Sequence, residues 1–505
     1  MTPMTLLRPL PLLMALWLAL PLPAARAAAL DDDLPTAAQL AGSILVGGRS
    51  LDYLRGLTDT IGPRLTGSGN YQRAAQWAAA EFRAAGLKDV RLESFMIPNG
   101  WERVSAEGRI LGATERPLHI ISVPWSPSTP KGGVRGEILI VTDLAPDKLE
   151  AQRDRLRGRI VLLDGATLFQ SSSPAKLSKV FDQIRGAYPL FEKAGVVGLL
   201  WAGSRPNNVH KPSSVKFSGA RLGQLPAADI GLEDFKLIER LMDAGPGSAT
   251  AQPPVRVEFR LDNRTSGPVM VNNVIAELRG REKPDEWVLV GAHLDSWDLA
   301  TGAQDNGTGT AMVLEAARAI VQSGKAPRRS LRFALWGGEE QGLLGSRSYV
   351  KAHRGELDKV VAVLNTDLGA GAPKGWMVGG REDVTAALKP IAQRLLKGLG
   401  GGDLSQTVTC DTDHASFFVL GVPAFTLWTD SEHYFEIHHL GSDTFDKVSP
   451  GNLAAGSAVV AVTAWAVAER EARLGAQLDE AAVDALLDKG DQKQCKKRLL
   501  EPLPQ

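Results

Sequence analysis

Five short segments in the second half of this 505-residue chain carry His, Asp or Glu beside apolar runs. Trp287–Val290 leads into His293-Leu294-Asp295, and Leu331–Trp336 leads into Gly337-Gly338-Glu339-Glu340. Val360–Leu364 leads into Asn365-Thr366-Asp367, and Ala424–Trp428 leads towards Tyr434 and His438-His439. Between the first two, Asp305 sits in Gln304-Asp305-Asn306-Gly307-Thr308-Gly309, which opens a helical pattern. The continuous apolar run Trp287–Val290 reads as a strand covered on both faces, and the other three segments read as further strands. In open α/β sheets, ligands gather off the carboxyl ends of such strands. Imidazole and carboxylate donors suit a divalent ion such as Zn²⁺. Clustered carboxylates repel one another and so ask for cations.

The elements that must position these residues follow from periodicity. Ser50 to Asp59 and Tyr71 to Ala85 read as helices, and Val90 to Phe95 as a strand. Ala311 to Val321 carries an apolar helical face, and Leu343 to His353 is helix-like. Strand–helix alternation from Val271 predicts an α/β fold, a mostly parallel-centred mixed sheet flanked by helices. Pro- and Ser-rich segments at 122–130 and 252–254 bracket short β-like runs, so 130–260 is expected to be an inserted β-rich domain. The remaining core would be discontinuous, 30–129 and 261–477, followed by a charged tail, 478–505, whose end, 489–505, is expected to be mobile.

Composition excludes several classes. The 57 basic and 57 acidic residues cancel, which gives no basic footprint for nucleic acid. Two cysteines exclude a disulfide-dense scaffold and a CxxC-type metal site. Residues 1–29 have a positive start, an 11-residue apolar run and A-x-A sites, the pattern of a cleaved signal peptide. The mature chain is therefore expected in the periplasm or outside the cell, with no membrane attachment after cleavage. Spacing leaves open whether Cys410 and Cys495 pair or stay free.

The joint order H-x-D, D-N-G, E-E, N-x-D and H-H-x-x-x-D-T resembles the M28 family of zinc exopeptidases, over about 48–110 and 265–470. His293-Leu294-Asp295-Ser296-Trp297-Asp298 and the pair His438-His439 look most like its carboxypeptidase Q branch. The 130–260 stretch resembles that branch's protease-associated domain. The resemblance implies two Zn²⁺ per chain. His293 and Asp367 would hold one ion, Glu340 and His439 the other, and Asp305 would bridge them. Glu339 would be the general base, and Asp295 would orient the His293 ring. The charges agree: two dications are cancelled by Asp305, Glu340, Asp367 and one hydroxide. A pair of ions can lower the pKa of a bridging water and polarise the scissile carbonyl. The family's spacing, with the ligand four residues before the Asp of Asp-Thr, implies His439 and not His438, since Asp443 follows four residues later.

The expected activity is hydrolysis of dipeptides or short peptides by metal-bound hydroxide, as a carboxypeptidase or dipeptidase. The alternatives are an aminopeptidase of the same family and a non-catalytic, receptor-like binding protein on the same fold. The nearest branch suggests a homodimer. Tyr434 could donate to the oxyanion or simply pack, and no defined role follows for Asp413-His414. His119, His210 and His353 read as ordinary surface or core histidines. Gly307 and Gly309 are expected to let the chain turn sharply beside Asp305. The absence of H-E-x-x-H excludes the zincin class.

Overall fold

The computed structural model describes residues 22–112, 115–164, 174–212, 223–243 and 254–503. Most of the expected leader lies outside them. In chain order the strands are β1 (Asp89–Ile97), β2 (Trp101–Leu111), β3 (Arg116–Pro117), β4 (Ile120–Ser122), β5 (Val134–Val141), β6 (Ile160–Leu163), β7 (Gly198–Ala202) and β8 (Ala227–Ile230). They continue with β9 (Arg256–Thr265), β10 (Val269–Leu278), β11 (Lys283–His293), β12 (Arg329–Trp336), β13 (Val360–Asn365), β14 (Pro373–Met377), β15 (Asp403–Ser405) and β16 (Ala424–Thr429).

The first sheet has the order β1-β10-β12-β11-β13-β16-β14-β15. Its centre, β12-β11-β13-β16, is parallel, and β1 and β10 close one side antiparallel. Every residue of β12 and β13 is buried; β13 is apolar from Val360 to Leu364, whereas β12 also buries Arg329, Ser330 and Arg332. Side chains of β11 alternate between two cores. Val288, Val290 and Ala292 join one with the helices Thr308–Gln322 and Pro450–Glu469. Trp287 and Leu289 join the other with Tyr349, Phe417, Val483 and Leu499. Ser68 caps the helix Gly69–Ala84 by accepting from the Tyr71 amide at 3.1 Å. Ser449 and Pro450 start the helix Pro450–Glu469 in the same way, with Pro at the first turn.

The helix Pro450–Glu469 is long and apolar enough to cross a membrane by composition. Its residues Ala458 to Ala468 are instead buried inside the first core.

The second sheet has the order β3-β2-β9-β5-β6-β7-β8-β4. It draws strands from Trp101 to Thr265, wider than the expected 130–260 insertion. The reason is that β2 pairs with β9 antiparallel along almost its whole length, from Trp101↔Thr265 to Leu111↔Arg256. The chain end also differs from expectation. Glu480–Lys489 and Gln494–Leu500 are helices, and their Val483, Leu487, Cys495 and Leu499 are buried against the sheet. Cys495 forms a disulfide with Cys410, resolving the open pairing. The charge count misled because charged residues occupy the outer faces of short amphipathic helices.

Candidate metal centre

The strand register brings the site together. His293 ends β11 opposite Trp336 on β12, while Gly291 stands opposite Asn365 on β13. The turns after β12 and β13 therefore project Glu339, Glu340 and Asp367 towards His293. Asp305 comes from the buried loop Ala303–Gly307, just before the helix Thr308–Gln322. Asn306 fixes that loop by donating to Thr366 O at 2.7 Å and accepting from the Gly309 amide at 2.9 Å. Gly309 is required for close approach: a Cβ there would collide with Asn306 and lie 2.6 Å from Thr366 O. Gly307 has an ordinary helical φ of −58°, so the sharp turn expected at these glycines is not their function. Gly338, at φ +71°, does need glycine to shape the Glu339-Glu340 turn.

Asp305 offers one carboxylate oxygen to each of two imidazoles. Its Oδ1 lies 3.1 Å from His293 Nε2, and its Oδ2 lies 3.2 Å from His439 Nε2. Asp367 Oδ1 approaches His293 Nε2 at 3.0 Å, and Glu340 Oε2 approaches His439 Nε2 at 2.9 Å. Glu339 groups with His293 and Asp367. His293, Asp305 and Glu340 form a second group of possible ligands, and Asp305, His438 and His439 a third. His438 is also near, with Nε2 3.4 Å from Asp305 Oδ2, but His439 alone of the two reaches Glu340. His439 has φ +63°, a left-handed conformation rare outside glycine and held here by its surroundings. Glu340 Oε1 is buried with no hydrogen-bond partner among the described residues, and Asp305 Oδ2 has only its ion-pair approaches to the two imidazoles. Buried acceptors of this kind are costly unless something else satisfies them. Carboxylate and imidazole donors converging on such oxygens fit divalent metal.

The electrostatics agree. Burial pushes the Asp367 carboxyl up to about 6 and Glu340 up to about 7. Burial, with Asp367 and Glu340 nearby, holds Glu339 well above the ordinary range. Against the cost of burial, Glu340 and Asp305 raise His439 to about 9. Burial, followed by the His439 charge, lowers His438 to about 3.

A surrounding layer, mostly unsuspected from sequence, holds these groups. Asp295 lies close to His293, but the ring's Nδ1 is nearer the backbone oxygen of Asp295 (3.0 Å) than its carboxylate (3.5 Å). The carboxylate instead accepts from the amides of Glu339 (3.2 Å) and Glu340 (3.3 Å) and from Thr66 Oγ1 (2.8 Å). It thus fixes the acidic turn relative to His293. Asp443, read only as a spacing marker, accepts from the amides of Gln304 (2.7 Å) and Asp305 (3.1 Å). Arg64 is fully buried and donates to the carbonyls of Gly62, Leu294, Thr301 and Gly302. Its only sequence signal was a lone cation just after the Gly62-Pro63 break. The Tyr434 ring packs 5.0 Å from His438, and burial, followed by the Asp305, Asp367 and Glu340 charges, holds its hydroxyl well above the ordinary phenol range. His414 is held by Thr412 Oγ1 at 2.9 Å and kept at about 4 by burial, as a packed structural histidine would be. His119, His210 and His353 each pair with a carboxylate away from these groups.

The comparisons with known proteins converge on the same reading. A family model described as Peptidase family M28 matches residues 273–464. Carboxypeptidase Q of Mus musculus is 30% identical over 427 residues, covering 84% of this chain and 87% of that protein. The structure of a peptidase M28 precursor from Shewanella amazonensis SB2B superposes with a TM-score of 0.73 at 29% identity, covering 89% of this chain and 99% of that one. A zinc aminopeptidase from Bacillus subtilis shares the fold, with a TM-score of 0.64 at 20% identity over 85% of this chain and 97% of that one. With its carboxylates and imidazoles gathered at the ends of parallel strands, this chain belongs to peptidase family M28 and is a metallopeptidase.

Proposed function

We propose that this protein is an exported two-zinc exopeptidase that hydrolyses dipeptides or short peptides, of the carboxypeptidase or dipeptidase type. The observation that carries the reading is the division of Asp305 between His293 and His439, one oxygen to each. In this reading His293, Asp305 and Asp367 hold one ion, and His439, Asp305 and Glu340 hold the other. Zinc held there supplies a water of lowered pKa and a polarised scissile carbonyl.

The chain's own residues do the rest. Glu339, raised well above an ordinary carboxyl, is poised to take the proton of the attacking water. It then returns that proton to the nitrogen of the leaving amine. Asp295 keeps the Glu339-Glu340 turn beside His293 through its two amide contacts. The second sheet closes one side of the site, in the place of a protease-associated domain. It is tied there by Arg103 on β2, which donates to both carboxylate oxygens of Asp298 at 2.9 and 3.1 Å. The Cys410–Cys495 disulfide supports export to an oxidising compartment.

The test is metal content and dipeptide hydrolysis of wild type and Glu339→Gln. The variant is expected to keep two zinc per chain and lose at least about 100-fold in kcat, the usual span of general-base catalysis. Near wild-type turnover in a folded, zinc-loaded variant would overturn the role of Glu339. Failure of the wild type to take up zinc would overturn the site.

A further inference from the structure

Lys211 belongs to the second sheet's part of the chain, in the loop after β7, yet its ammonium reaches the metal centre. Its Nζ lies 3.5 Å from Nδ1 of His438, and the same ring's Nε2 lies 3.4 Å from Asp305 Oδ2. One imidazole thus separates this cation from the carboxylate shared by both metal groups. Burial first, and then the Arg205 charge, push the Lys211 pKa down, while Asp305 and Glu340 act in the opposite direction. Both of those carboxylates belong to the metal groups. With dications there, their charge is committed, and the half-buried Lys211 has no anion left to face among the described residues. Asp229 lines the same crevice, but it is engaged by His210 Nδ1 at 2.5 Å. A desolvated ammonium without an anionic partner is costly. The arrangement therefore calls for an anion that arrives with the substrate.

A peptide cut at its last bond carries such an anion. Its terminal carboxylate carbon lies about 4 Å from the scissile carbonyl carbon, one residue's span. Lys211 stands one imidazole away from Asp305, so a carbonyl seated between the two metal groups could present that carboxylate on the side where the ammonium lies. An α-ammonium in the same place would meet a like charge, and an amidated end would leave Lys211 unpaired.

We propose that Lys211 recognises the free α-carboxylate of the substrate, so that the bond adjoining a free carboxyl terminus is the one cleaved. This rests on the metallo-exopeptidase reading above and selects its carboxypeptidase or dipeptidase form.

The experiment uses the full-length, zinc-loaded protein. It measures kcat and KM for a free dipeptide, its C-amidated form and its N-acetylated form. Wild type is expected to favour the free acid over the amide by roughly 10- to 100-fold in kcat/KM, the span of a charge-assisted hydrogen bond. Lys211→Met keeps the aliphatic stem and removes the charge. It is expected to bring that ratio close to one, chiefly through KM for the free acid. Lys211→Arg is expected to keep part of the preference. Circular dichroism melting checks folding, and Lys211→Gln replaces the Met variant if that one does not fold. A wild type without the carboxylate preference, or one needing a free amine, would sink the carboxypeptidase reading and this assignment with it. A wild-type preference retained in full by the uncharged variant would overturn Lys211 alone. Equal losses on acid and amide in a folded variant would also overturn it, because the lysine would then serve the chemistry and not the carboxylate.

Discussion

At the scale of the residue, the site depends on single oxygens having single tasks. Asp305 cannot be replaced by a group with one acceptor, since Oδ1 faces His293 and Oδ2 faces His439. Asp305→Asn is expected to lower zinc content below two per chain and to abolish turnover, read by metal analysis beside hydrolysis. Asp443 acts one layer out. It holds the Gln304 and Asp305 amides, and Asp443→Asn offers one acceptor where there were two. That variant is expected to stay folded and to bind zinc roughly 10- to 100-fold more weakly, the range for partners that orient metal ligands. Titration against a competing chelator measures it. Unchanged affinity would show that the Asp305 loop holds its shape without Asp443. The residues that gather in the candidate metal groups were legible in sequence because their types and order are specific. Arg64 and Asp443 were not, because an arginine bonding four carbonyls or an aspartate bonding two amides has no type signature in a linear chain.

At the scale of the element, two contacts outside the site decide how the sheet is covered. The Cys410–Cys495 disulfide spans 85 residues and pins the helix Gln494–Leu500 beside the segment that carries Asp413 and His414. Cross-links closing long loops stabilise by removing freedom from the unfolded chain. The Cys410→Ser/Cys495→Ser double variant is expected to lose about 2–5 kcal/mol of stability. Urea unfolding measures it, and an unchanged midpoint would mean that packing alone holds the terminal helices. Glu469, at the end of the core helix, accepts from Arg281 and from the Arg328 amide. Against the cost of burial, these bonds hold its carboxyl below the ordinary range. A depressed folded-state pKa stabilises above the unfolded value and is lost as pH falls through the folded one. Glu469→Gln is therefore expected to be less stable than wild type near pH 7, with the gap closing below about pH 4. Midpoints compared across that range test the sign, and a constant gap would refute it.

At the scale of the whole molecule, the metal groups join elements far apart in sequence: the end of β11, the turns after β12 and β13, and the His438-His439 segment. Ions bound there are expected to stabilise the fold as a whole, because a species that binds only the native state stabilises it by mass action. Chelation is expected to lower Tm and abolish hydrolysis together. Zinc at about 100 times its Kd should restore about 2.7 kcal/mol. A Tm indifferent to chelation in a protein that had contained zinc would contradict this. The second sheet is part of the same assembly, since Trp101 and Trp125 pack in one cluster with Leu65 and Trp297 beside the site.

The sequence by itself determined the family, the parallel-centred sheet and the order of its chemical groups. Hydrophobic runs and ligand spacing are local properties, written along the chain and read without knowing the partners. The tertiary structure decided the reach of the second sheet, because β2 and β9 pair across more than 140 residues of chain and nothing in either strand names the other. It decided the fate of the chain end, whose exposed charges masked the buried faces of two short helices. It also brought Lys211 to the metal groups through an ordinary loop. Long-range contacts are set by how covered surfaces fit together, and a linear pattern does not record that fit.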